Sequence, residues 1–175
     1  SLQGTKQIKK LIRTLKDISN CPPLLVKIAP DLSNEAIDEI ARVAIENGID
    51  GIIAINTSLN RFNLKTLKIK TGNTLEQESG GLSGLPLQKR GLEVLRRLRK
   101  CTNNDLPLIG VGGISSPRAA WERIAAGASL VQIYTGWIFE GPNLVPDILD
   151  GLTLQMEKHG YQNIKEAIGS EEPWK

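Results

Sequence analysis

Histidine and cysteine are nearly absent from this chain, and their scarcity removes several kinds of chemistry at once. The single histidine, His159, and the two cysteines, Cys21 and Cys101, lie far apart. They match no metal-ligand or redox spacing, so no metal site is expected and a reducing compartment suits the thiols. His159 stands in a polar stretch without a partner and reads as a surface residue. No apolar run is long enough to cross a bilayer, and no signal peptide opens the chain. An initiator methionine is lacking too: Ser1-Leu2-Gln3-Gly4 reads as a cut made inside a longer protein. Excess positive charge is also missing. The net charge is only +3, and no basic tract is interleaved with aromatics, so nucleic acid is not an expected partner. The cluster Arg96, Arg97, Arg99 and Lys100 reads as the solvated face and C-terminal end of a helix, where cations suit the dipole.

What is present is an ordinary globular composition. Of 175 residues, 40% are hydrophobic and 23% charged, enough for one soluble domain with a real core. The pattern predicts a basic amphipathic helix over 5–18 and a short strand at Leu24–Ile28. A helix follows over 34–47, capped by Ser33 or Asn34 and closed by Gly48. Next come a strand at Gly51–Ile55, a helix over 88–100 and a strand at Leu108–Val111. A helix over 117–126 begins on a first-turn proline and ends at Gly127. A strand at Leu130–Ile133 and a last helical region over 143–168 complete the order.

Strands this apolar, each followed by a helix, imply a parallel sheet covered on its outer side. Four βα units are half of a closed barrel, which needs eight and about 250 residues. A doubly wound sheet fits the same count, so the strand ends must decide. The segment Leu108-Ile109-Gly110-Val111-Gly112-Gly113 runs straight into a glycine turn and a helix start. Leu130-Val131-Gln132-Ile133-Tyr134-Thr135-Gly136 ends in a second small polar turn. Glycine admits an anion close to backbone N–H groups, and a helix start adds a favourable dipole. Taken alone, a turn such as Gly112-Gly113 could merely permit a tight change of direction. Two in succession match the phosphate site after strands seven and eight of many β/α barrels, so the chain reads as strands five to eight.

Alternation along the first strand puts Leu24, Val26 and Ile28 on one face and Leu25 and Lys27 on the other. The apolar trio should pack on helices, which aims Lys27 into the barrel near its C-terminal mouth. A cation there either meets an anion or snorkels its head to water; the first reading is preferred. Asn56-Thr57-Ser58 is a cluster of amide and hydroxyl groups at a strand end, suited to a small polar ring or carboxylate, or to plain turn chemistry. The stretch from Asn56 to Gly84 is long for a connection and is a candidate lid. Within it, Ser79-Gly80-Gly81-Leu82-Ser83-Gly84 resembles an anion-cradling nest.

K-I-A-P-D-L at 27–32, I-N-T-S at 55–58, S-G-G-L-S-G-L-P-L at 79–87, I-G-V-G-G-I at 109–114 and A-G-A-S-L-V-Q-I-Y-T at 126–135 together resemble dihydroorotate dehydrogenase of the membrane-associated, quinone-dependent class 2 type. The glycine motifs are shared with many barrels; the first and third motifs joined are specific. The resemblance runs from about residue 22 to the C-terminus. It implies the C-terminal half of one FMN-binding β/α (TIM) barrel domain spanning 1–175, from a protein peripheral on a bacterial cytoplasmic or mitochondrial inner membrane. Such a protein oxidises dihydroorotate to orotate in pyrimidine biosynthesis and reduces a quinone.

By the same resemblance, Lys27, Ile55, Gly84, Gly113, Tyr134 and Thr135 would contact FMN, and Asn56 and Thr57 the substrate. Ile55 departs from the family, which often has threonine there. The family's catalytic serine base, its membrane-binding helices and its first FMN contacts lie before the matched region. No catalytic residue is therefore expected in this chain, and Ser58, Ser83 and Ser115 are not promoted to that role. The implied partners are dihydroorotate, the N-terminal half of the barrel and, through that half, quinone. Rival readings are an FMN barrel acting on RNA, such as a tRNA-dihydrouridine synthase, and a non-catalytic phosphate-binding half-barrel.

Overall fold

A computed structural model describes residues 5–61, 64, 70 and 72–175. Its centre is one sheet of four parallel strands: β1 (Leu25–Ile28), β2 (Gly51–Ala54), β3 (Leu108–Val111) and β4 (Leu130–Gln132). They lie side by side in chain order. That order excludes the doubly wound alternative, in which a strand would return to the other side of the first. Each expected strand occurs, with ends within a residue of those read from sequence.

The strand faces divide as the alternation requires. Ile28, Ile52, Ala54 and Leu108 are buried in the main core, against which Leu24 and Val26 also pack. The register carries the opposite face across the sheet, pairing Lys27 with Ile53, Ile53 with Ile109 and Ile109 with Leu130. At the two edge strands this inner face is open: Leu25 is 46% and Leu130 64% exposed.

Helices cover the outer face. In α1 (Thr5–Lys16), Ile8 and Ile12 one turn apart are buried while the basic residues face outward. In α2 (Asn34–Glu46), Ser33 is the N-cap, its hydroxyl accepting from Ala36 N–H at 3.2 Å. A 3₁₀ turn at Leu85–Leu87 leads into α3 (Gln88–Cys101). In α4 (Pro117–Ala125), Ser116 caps and Pro117 takes the first turn, where its missing N–H is harmless.

The last helical region is not continuous. It divides into α6 (Leu144–His159) and a one-turn α7 (Ile164–Ala167). Gly160, left-handed at φ 73°, ends α6, and Asn163 starts α7 with a capping box. A short α5 (Thr135–Glu140) precedes them, beginning on the second polar turn. It exposes Trp137, Ile138 and Phe139, so no buried stripe marks it in the sequence. Among the described residues no helix is long and apolar enough to cross a membrane.

Two surface expectations are corrected. The His159 side chain is only 3% exposed. Its ring stacks on Trp121 at 5.2 Å and Tyr161 at 5.7 Å, and Nε2 lies 3.0 Å from the Pro173 carbonyl. The C-terminal segment folds back over this stack, and Trp121 Nε1–H donates to Glu172 C=O at 2.9 Å. The basic cluster of α3 is likewise not simply solvated. Arg97 forks onto Asp38 of α2 at 2.6 Å through both bonds, Arg96 pairs with Glu171 at 2.8 Å, and Arg99 donates to Ile168 C=O. Partly exposed pairs contribute little each, but these join α3 to its neighbours. Cys101 donates to Asp38 at 3.0 Å, and its thiol is pushed up to about 11, first by burial and then by that carboxylate.

Candidate functional site

All four strands end at one rim, and the turns after them are tied to one another. At the end of β1, Asp31 accepts from Ser58 Oγ–H at 2.5 Å and from Leu59 N–H at 2.8 Å. This fixes Asn56-Thr57-Ser58, which follows β2, against the preceding turn. Arg90 of α3 closes the same turn from outside, donating to the carbonyls of Pro30 at 3.0 Å and Leu32 at 2.8 Å.

The glycine-rich stretch 79–84 acts as a clasp rather than a nest along most of its length. Leu82 N–H donates to Ser58 C=O at 2.7 Å, and Leu82 C=O accepts the return bond from Ser58 N–H at 3.0 Å. Gly80 C=O accepts from Arg61 at 2.6 Å. Gly81 lies so close to the Thr57 side chain that no Cβ could fit. Only Ser83 and Gly84 reach the cleft. The middle of the candidate lid lies outside the described residues.

The cleft is lined by Lys27, Ile55, Asn56, Thr57, Gly84, Gly113, Tyr134 and Thr135, all eight of the residues expected at the site. They come from four strand ends and the clasp. Its volume, about 110 Å³, suits a phosphate group rather than a whole flavin, so a ring system anchored here would lie over the open inner face. Lys27, Asn56, Thr57 and Tyr134 are exposed. Among the described residues the Lys27 ammonium has no hydrogen-bond or ion-pair partner. Ile55 is 2% exposed. Its side chain reaches beneath the Gly112 turn, where a Cβ on that glycine would stand 3.5 Å away.

The phosphate-like end of the cleft has free donors. Gly84 and Gly113 are left-handed, at φ 80° and 74°, a conformation that favours glycine. Among the described residues neither Gly113 N–H nor Thr135 N–H donates to a protein acceptor. Thr135 Oγ1 bonds Ser83 Oγ at 2.8 Å, and that pair of hydroxyls keeps one proton for a ligand. These features fit an anionic phosphate monoester such as that of FMN. One detail departs from expectation. A Cβ on Gly113 would strike the Gln88 backbone at 2.8 Å, so this glycine also serves the close approach of α3 and its bare side does not face the ligand.

Three participants were not singled out from the sequence: Asp31, Ser83 as a partner of Thr135, and Arg123 beneath the glycine turn. Asp31 stood inside a quoted motif. Arg123 carried a signal in its spacing, since Ala119, Ala120, Arg123 and Ile124 share one helical face and all are buried.

Comparison with known proteins agrees with this geometry. The sequence model of the dihydroorotate dehydrogenase family matches residues 1–156. A dihydroorotate dehydrogenase (quinone) of Prochlorococcus marinus (strain MIT 9313) is 61% identical over 174 residues, covering 99% of this chain and 44% of that protein. One of Corynebacterium efficiens is 48% identical, covering 99% and 45%. The crystal structure of Eimeria tenella DHODH in complex with ferulenol superposes with a TM-score of 0.82 at 32% identity, over 97% of this chain and 49% of that one. The ligand-free Eimeria tenella structure gives 0.84 at 33%, over 97% and 51%. The chain thus spans a little under half the length of the curated relatives it matches, and its four-stranded sheet corresponds to half of a β/α barrel.

Proposed function

The chain belongs to the dihydroorotate dehydrogenase family, and on that premise we propose that residues 1–175 are the C-terminal half of a single FMN-binding β/α barrel that oxidises dihydroorotate to orotate. Quinone is the electron acceptor in this reading. The observation that carries it is the convergence of eight residues from four strand ends and one clasp on a single cleft. FMN, when bound, supplies the redox chemistry.

Gly84, Gly113, Tyr134 and Thr135 would hold the FMN phosphate through backbone N–H groups and the Thr135–Ser83 hydroxyl pair. Ile55, buried with its Cγ1 beside Gly112, would meet the cofactor through its backbone. Lys27, without a partner among the described residues, would hold a positive charge where negative charge develops on the flavin. Asn56 and Thr57 would hold the substrate by amide and hydroxyl, kept in position by Asp31 and Gly81.

No serine here is given the role of base. Ser58 donates to Asp31, and Ser83 pairs with Thr135 at the end of the cleft assigned to the phosphate. We assign the base, the quinone contact and any peripheral membrane attachment to the half of the barrel outside this chain. The complete barrel protein should purify with FMN, and anaerobic dihydroorotate should bleach its flavin absorbance until a quinone analogue restores it. A protein that takes up no flavin, or whose flavin ignores dihydroorotate, refutes the proposal.

A further inference from the structure

Behind the Gly112-Gly113 turn lies a buried cation. Arg123 of α4 is 1% exposed, and among the described residues no carboxylate forms an ion pair with it. Its Nη2 donates to Gly112 C=O at 2.6 Å and to Gln88 C=O at 3.0 Å. Among the described residues Nη1 is buried without a hydrogen-bond partner. Gly91 of α3 provides the space, since a Cβ there would stand 2.5 Å from Nη1. Burial pushes the guanidinium down to about 10, so it remains charged at neutral pH. Two carbonyl dipoles compensate a buried charge only in part.

The planar peptide links this cation to the cleft. The Gly112–Gly113 bond is trans, so its C=O and N–H point in opposite directions. By drawing the Gly112 carbonyl inward, Arg123 turns the Gly113 N–H away from α4. That N–H has no protein acceptor among the described residues, and Gly113 lines the cleft.

We propose that Arg123 is a positioning residue for a phosphate monoester: it orients the Gly112–Gly113 peptide and holds a full positive charge behind it. A phosphate dianion at the turn then meets an aimed donor and the field of a desolvated cation, and it completes the neutralisation that the carbonyls leave unfinished. The inference rests on reading this cleft as the FMN phosphate site.

Riboflavin, which is FMN without its phosphate, separates the possibilities. Full-length protein stripped of flavin is titrated with FMN and with riboflavin, following flavin fluorescence. The unsubstituted protein should prefer FMN. In Arg123→Met the FMN-to-riboflavin affinity ratio should fall on the order of tenfold, with riboflavin affinity unchanged. Equal losses for both flavins would mean that Arg123 only supports the fold, and an unchanged ratio would mean that it does not act on the phosphate; either overturns the inference. If Arg123→Met does not fold, Arg123→Lys carries the same test. Its ammonium keeps the charge but reaches one carbonyl, so the ratio should fall by a few fold, with the same two refuting outcomes. An unsubstituted protein that binds both flavins equally would instead overturn the phosphate reading of the cleft itself.

Discussion

Replacing Lys27 with alanine in the complete barrel protein tests the chemistry of the site. Lys27 is exposed on the open inner face and has no hydrogen-bond or ion-pair partner among the described residues. Its removal therefore breaks no hydrogen bond or ion pair within the described part of this half of the barrel. The contact it would make is to negative charge that develops on the flavin. A charge-assisted hydrogen bond contributes about 1.5–3 kcal/mol, which corresponds to roughly a 10- to 100-fold slower bleaching of the flavin by dihydroorotate. The same loss should lower the flavin midpoint potential by about 30–65 mV for a two-electron couple. The direction is fixed, since removing a cation disfavours the more negative form. Anaerobic stopped-flow absorbance gives the single-turnover rate, and dihydroorotate affinity is read from its concentration dependence. Rate should fall more than affinity. An unchanged rate with intact FMN content would remove Lys27 from the site and refute the assignment.

The remaining tests divide substrate, cofactor and fold. Asn56→Ala should weaken orotate binding with FMN content near normal, whereas Thr135→Val, which keeps the shape but breaks the bond to Ser83, should weaken FMN by about fivefold and spare orotate; parallel titrations decide, and equal effects of both variants on both ligands would show the division to be wrong. Gly113→Val should lower the melting temperature as well as FMN content, because its Cβ meets the Gln88 backbone at 2.8 Å, and a variant of normal stability would contradict that contact. Trp121→Ala should cost about 3–5 kcal/mol in denaturant melts, since the ring is fully buried and stacks on His159; a loss below 1 kcal/mol would mean the stack is dispensable. Residues 1–175 expressed alone should self-associate in sedimentation, given exposed Leu25 and Leu130 on the edge strands, and a compact, cooperatively melting monomer would overturn this.

Features legible in chain order are local or repeat along the chain. Period-two alternation placed Leu24, Val26 and Ile28 toward the helices and Lys27 on the opposite face, because successive strand side chains must take opposite sides. Capping residues and glycines marked most helix ends, and the two polar turns after β3 and β4 marked the end of the cleft proposed for the phosphate. The eight proposed site residues were named through the resemblance of their motifs to the dihydroorotate dehydrogenase family, and they meet at one cleft because each stands at a strand end or in the clasp. The rest depends on contacts between residues distant in the chain. His159 reads as solvated until a segment fourteen residues further on covers it. Arg96 and Arg97 read as a surface cluster until partners 75 and 59 residues away meet them. Asp31 gains its role only when Ser58, 27 residues on, comes within hydrogen-bonding distance. Arg123 stands on the buried face of its helix by spacing, but the carbonyls it would meet belong to other elements. Polar and charged side chains take their function from what lies across a gap in space, and chain order alone does not contain that distance.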